Sequence, residues 1–136
     1  SVALFAYAMK NEKNYKNLCV MGLEGSSHGN SIAAISCSDP SVNTNNAPTF
    51  DWPVAPLPNI KYPFTHHAHA NAAEEQRCLD AAANIIKQRR DAGKDVGAII
   101  VEPISALGNK LATPMYYKKL RQLAATEGIP FIVDET

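Results

Sequence analysis

Residues 96–103 read VGAIIVEP and residues 131–135 read FIVDE. Each is an apolar run dense in β-branched residues, and each ends on a carboxylate, Glu102 in the first and Asp134 in the second. Apolar runs without alternation are the pattern of parallel strands covered on both faces. The segment between them decides the topology. Thr113-Pro114 pairs an N-cap residue with proline at the first helical position, Leu120, Leu123 and Ala124 share a helical face, and Gly128 ends it. A crossover that contains a helix is long enough to return the chain parallel, and such units are right-handed almost always. The spacing predicts an α/β fold, a mainly parallel sheet flanked by helices.

Upstream of VGAIIVEP, Asn71 with Glu74 three residues on predicts a capping-box start, and Glu74 and Glu75 suit the positive end of the helix dipole. Cys78, Ala82, Ile85 and Ile86 share one face, Lys87, Arg89 and Arg90 fill the last turns, and Gly93 fits the C-terminal cap. LCVMGL (Leu18 to Leu23) reads as a third buried strand, followed by the loop GSSHGN and a short helix over SIAAIS. The first segment, Val2 to about Lys13, carries Leu4, Phe5, Ala8 and Met9 at helical spacing. From Ser38 to Pro63 the chain holds six prolines and four asparagines. Proline donates no N–H, so this stretch is neither a long helix nor a central strand. It still carries Phe50, Trp52, Val54, Leu57, Ile60 and Tyr62, which is too apolar for a disordered linker. An ordered excursion packed on another element or another subunit is expected.

At 136 residues, 46% hydrophobic and 19% charged, the composition is that of one globular domain. Thirteen basic residues balance thirteen acidic ones, so there is no electrostatic footprint for nucleic acid or an anionic membrane. No apolar run approaches the roughly 20 residues that span a bilayer, and Lys10, Glu12 and Lys13 interrupt any secretory-signal pattern. Cys19, Cys37 and Cys78 are odd in number and widely spaced, which predicts free, buried thiols in an intracellular, reducing compartment. His66, His67 and His69 in THHAHA have no cysteine or acid at zinc-ligand spacing, and a polar lead-in to the helix outweighs a metal site.

Ligands of open parallel sheets bind outside the carboxyl ends of the strands. If the two acid-tipped strands are neighbours, Glu102 and Asp134 face one site, and the loop after LCVMGL brings His28 beside it. There is no G-x-G-x-x-G, P-loop or G-x-S-x-G motif.

Taken together, FDWPVAPLPNIKYP (50–63), AAEEQRCLD (72–80), GAIIVEPI (97–104), YYKKLRQLA and FIVDE closely resemble the 4-aminobutyrate aminotransferases of the class III (fold type I) pyridoxal-phosphate family. The FDWP…KYP stretch is distinctive of that branch; VEP and VDE are shared across the class. The resemblance implies a segment of the large cofactor-binding domain, with the phosphate-binding loop upstream of Ser1 and the lysine that anchors the cofactor downstream of Thr136. It implies that Asp134 pairs with the pyridinium nitrogen of pyridoxal 5'-phosphate, that Glu102 lies at the substrate end, and that His28 and Ser27 lie close to the cofactor. It further implies small amino-acid and 2-oxo-acid substrates, a homodimer with sites at its interface, and the mitochondrial matrix.

Three departures stand out. Ser27 replaces an aromatic residue that stacks on the cofactor ring, Asn30 replaces an arginine that holds the substrate carboxylate, and SALGN follows VEPI where a glutamine and a glycine-rich turn are usual. The readings open at this point are a working aminotransferase, a catalytically degenerate relative serving as a structural or assembly subunit, and a small α/β binding module. The retained Asp134 and Glu102 favour the first.

Overall fold

The first apolar run becomes a strand over Cys19–Leu23 (β1), all five residues buried. Its partners are Val54–Ala55 (β2), Val96–Val101 (β3) and Phe131–Val133 (β4). They form one parallel sheet in the order β2-β1-β3-β4. The computed structural model describes residues 2–11, 17–29, 31–38, 48–58, 66–102 and 113–135. Helices Val2–Asn11 (α1), Ile32–Cys37 (α2), Ala68–Asp91 (α3) and Pro114–Thr126 (α4) surround the sheet. The α/β architecture and the parallel β3–α4–β4 unit are as the sequence predicts.

Side chains alternate across a strand. Met21, Leu23, Ile99 and Val101 join the main core with Cys78, Ala82 and Ile86 of α3 and Tyr116, Leu120 and Ala124 of α4. Burying one such aliphatic side chain stabilises by about 1.5–3 kcal/mol, so this layer holds the sheet to its helices. A second cluster unites Val20, Ala98 and Cys37, with Leu4, Trp52 and Ile100 packed against it. There α2 lies so close to β1 that a Cβ on Gly22 would stand 2.0 Å from the Cys37 carbonyl oxygen.

The α4 N-terminus follows the sequence signal. Thr113 caps it through Tyr116 N–H, with Pro114 at the first helical positions. The Thr113 hydroxyl also donates to the buried carboxylate of Glu75 on α3. Gly93 and Gly128 close α3 and α4 with φ of 76° and 68°, a region that suits glycine.

Three expectations are corrected. The helix expected to start at Asn71 starts at Ala68, capped by the His67 backbone without a side-chain bond. Ala68 and Ala70 are strong helix formers and extend it by a turn. Asn71 is consequently buried inside α3, His69 lies on the helix, and Glu74 and Glu75 fall outside the first turn. Glu74 pairs instead with Arg77. On α1 the inward residues are Leu4, Tyr7 and Ala8, and Met9 faces solvent. β4 is not covered on both faces: Ile132 and Val133 are 36% and 46% exposed, because β4 pairs only with β3 among the described strands. The proline-rich stretch packs on the sheet, as the sequence predicts, and adds a two-residue strand. Pro53 and Ala55 carbonyls accept from Gly22 and Glu24 N–H at 3.2 and 3.0 Å. Carbonyls are what proline-flanked backbone still offers, and among the described strands β2 pairs only with β1. Trp52 packs on the core and stacks on Phe50 with ring centroids 5.0 Å apart. Ile60 and Tyr62 of that stretch lie outside the described residues.

Candidate active site

Register brings the two acid-tipped strands level. Val101 pairs with Val133, so Glu102 and Asp134 are the next residues along each strand. Asp134 N–H continues the ladder to the Val101 carbonyl at 2.8 Å. Both carboxylates therefore stand at the carboxyl edge of the sheet, where ligands of such sheets bind.

The loop after β1 crosses this edge. Gly25, with φ of 74°, turns the chain out of the strand, and the Ser26 hydroxyl bonds back to the Leu23 carbonyl at 2.6 Å. Ser27 N–H then donates to Glu102 Oε2 at 3.2 Å, over the end of β3. One residue later His28 reaches the end of β4, where its Nδ1 lies 2.8 Å from Asp134 Oδ2. The side chains of His28 and Asp134 are 2% and 14% exposed. His28 N–H donates to Ser38 Oγ at 3.0 Å, which ties the loop to the end of α2.

The His28 Nε2 atom is buried and has no hydrogen-bond partner among the described residues. A buried N–H without an acceptor costs more than a lone pair without a donor. The proton is therefore assigned to Nδ1, where it is donated to Asp134, and the carboxylate stays the acceptor. This leaves a nearly buried carboxylate of fixed orientation at the sheet edge, the chemistry that a cationic ring N–H requires.

A small cleft beside Glu102 is lined by Leu23, Glu24, Leu57 and Tyr117 together with Gly25 and Ser26 of the loop. Glu24 accepts from Leu57 N–H at 3.4 Å, and the neighbouring Tyr116, its hydroxyl 3.3 Å from the Pro56 carbonyl, has a pKa pushed up by burial. Glu24, Leu57 and Tyr117 carried no motif that singled them out. Only the β2 pairing and the α4 cap place them beside Glu102.

Of the residues the sequence nominated, Ser27, His28, Glu102 and Asp134 come together. Asn30 lies outside the described residues, as do 105–109 (SALGN). The described lysines, Lys10, Lys87, Lys94, Lys118 and Lys119, are all exposed on helices or on the turn after α3. All three cysteines are free and buried. Among the described residues no cluster of His, Cys, Asp or Glu is arranged to hold a metal ion, and no helix is long and apolar enough to cross a membrane.

A family model described as aminotransferase class-III matches residues 2–136. A probable mitochondrial 4-aminobutyrate aminotransferase of Caenorhabditis elegans is 42% identical over 88% of this chain and 25% of its own length. The mitochondrial 4-aminobutyrate aminotransferase of Homo sapiens is 36% identical over 85% of this chain and 24% of its own. Among solved structures, lysine aminotransferase from M. tuberculosis superposes with a TM-score of 0.81 at 25% identity, over 98% of this chain and 31% of that one. The chain thus spans about a quarter of the length of the curated relatives it matches.

Proposed function

The chain belongs to the class-III aminotransferases, and from that premise we propose that the whole protein moves an amino group from an ω-amino acid to a 2-oxo acid, with pyridoxal 5'-phosphate as its cofactor. The observation that carries this reading is the His28–Asp134 pair at the carboxyl edge of the sheet, beside Glu102. When bound, the cofactor supplies an electron sink whose strength depends on a protonated ring nitrogen. Asp134 is the residue that would hold that nitrogen in its cationic form. Its low exposure strengthens the pairing, because charges attract more in a poorly solvated site. His28 supports it by donating Nδ1–H to Oδ2, which fixes the carboxylate's direction and leaves its charge intact.

Glu102, oriented by Ser27 N–H, is assigned to the substrate side, where a carboxylate favours the amino end of an ω-amino acid. Ser27 is assigned to the cofactor's surroundings and Asn30 to the substrate's, both on sequence position. Among the described residues no lysine stands at the sheet edge, and the role assigned to them is that of ring-nitrogen partner. The names of the relatives place those proteins in mitochondria, and the same location is proposed here, with a homodimer as the assembly.

The test is to express the whole protein, add pyridoxal phosphate, and follow amino transfer from 4-aminobutyrate to a 2-oxo acid. Transfer is expected, and Asp134→Ala should lower it by roughly 10²–10³-fold, the usual effect of removing an electrostatic partner from a preorganised site. Absence of transfer by cofactor-loaded wild-type protein would overturn the reading in favour of a degenerate subunit.

A further inference from the structure

We propose that Ser38 is a positioning residue of this site, holding the His28 backbone so that the imidazole meets Asp134. The proposal rests on the assignment of Asp134 to the cofactor for its catalytic meaning, but its geometry stands on its own. Ser38 is buried at the C-terminal cap of α2. Its hydroxyl proton goes to the Ala34 carbonyl at 2.9 Å, which turns a lone pair toward His28 N–H, 3.0 Å away. Its own N–H donates to the Ile35 carbonyl at 3.1 Å. Ser38 therefore has one hydroxyl partner in α2 and one in the catalytic loop.

Ser27 N–H on Glu102 and the imidazole on Asp134 hold the loop to the strand ends, and the Ser38 hydroxyl ties its backbone to α2. Gly29 follows at φ 123°, a conformation that other residues rarely adopt. The anchor behind Ser38 is rigid. The carbonyl of Cys37 sits against Gly22 of β1, with no room for even a Cβ between them. The sheet thus fixes the end of α2, Ser38 transmits that position to residue 28, and the 2.8 Å bond to Asp134 depends on it. Removing the hydroxyl leaves the partly buried His28 N–H without its acceptor, and the loop must move to satisfy it.

The experiment uses the whole protein labelled with 15N-histidine. The ring N–H of His28 is identified in the NMR spectrum by its loss in His28→Gln, and its exchange with solvent is measured. Ser38→Ala should raise that exchange roughly tenfold, the factor set by one net hydrogen bond, and Ser38→Thr, which keeps the hydroxyl, should restore it. Ser38→Cys keeps the volume with a weak acceptor and decides the matter if the alanine variant does not fold. Pyridoxal phosphate affinity supplies a second readout. Ser38→Ala should weaken it in the wild-type background and change it less than twofold in His28→Gln, as coupled residues in one network behave. Unchanged ring exchange in the folded Ser38 variants would overturn the proposal, as would an equal affinity loss with and without His28. If the wild-type protein fails to bind the cofactor, the functional assignment fails, while ring exchange still tests Ser38.

Discussion

Gly22→Ala tests whether α2 is the fixed reference for the catalytic loop. An added Cβ would lie 2.0 Å from the Cys37 oxygen, 3.1 Å from its carbonyl carbon and 3.7 Å from its Cα. Carbon-to-carbonyl-oxygen contacts of this kind settle at about 3.3–3.6 Å, so β1 and α2 must part by more than ~1 Å. Both partners are backbone, so no side-chain rotation relieves the clash. Overpacking of this kind costs about 1–3 kcal/mol, and the lower entropy of the unfolded alanine chain returns about 0.4–1 kcal/mol. The two ranges leave a net loss of up to about 2.6 kcal/mol, centred on about 1.3 kcal/mol. The displacement carries Ser38 away from His28, so pyridoxal phosphate affinity should fall as well. Gly93→Ala is the matched control. Its φ of 76° also makes alanine costly, by about 1–2 kcal/mol, but no atom lies within 4 Å of the added Cβ. Thermal unfolding midpoints and cofactor titrations of the two variants separate the effects. Both should melt earlier, and only Gly22→Ala should bind the cofactor more weakly. A Gly22→Ala protein with wild-type midpoint and affinity would refute the close approach of α2 to β1.

Two further predictions concern the scaffold. Thr113→Val removes both the cap on Tyr116 N–H and the hydroxyl donated to Glu75, and denaturant unfolding should show a loss of about 1–3 kcal/mol. Thr113→Ser, which retains both bonds, should stay close to wild type, and an equal loss in the two variants would contradict the role of the hydroxyl. Burial pushes the Cys19 and Cys37 thiols from 9.0 up to about 11. Their folded pKa values thus exceed the unfolded ones, so the contribution is intact below pH 9 and is lost as pH rises toward about 11. A Cys19→Ala/Cys37→Ala protein should show a shallower decline of thermal midpoint over that range, and an identical decline in wild type and variant would exclude the thiols as its source.

The elements legible in the sequence are those whose signals are local. Thr113-Pro114 and Gly128 bracket α4 because capping is settled within one turn of chain. The unalternating β1 and β3 were legible because a strand buried on both faces has no polar positions to place. The misread elements depend on distant partners. The α3 N-terminus was misread because His67 caps it through backbone alone, and no residue preference records such a cap. β2 was hidden among prolines because its bonds run through the carbonyls of Pro53 and Ala55, and a carbonyl is the same in every residue. β4 reads as buried from FIV, yet its exposure depends on what stands beside it in the sheet.

The site divides along the same line. Glu102 and Asp134 could be nominated because strand ends of a parallel sheet are where ligands bind, and their residue types carry the chemistry. Which residues reach them is a matter of loop path. The chain from Ser26 to His28 advances one sheet position per residue, from the β1 end at Ser26 to the β3 end at Ser27 and the β4 end at His28. A loop that crosses two strand ends in consecutive residues must keep its backbone donors directed, Ser27 N–H to a carboxylate and His28 N–H to a serine. That requirement explains why a serine ten residues away belongs to the site's geometry although nothing in its own neighbourhood announces it. It also separates the loop's backbone role from its side chains. The Ser27 contact to Glu102 is made by main chain, so replacing the residue at 27 leaves the Glu102 anchor in place, whereas replacing Ser38 removes the anchor of His28.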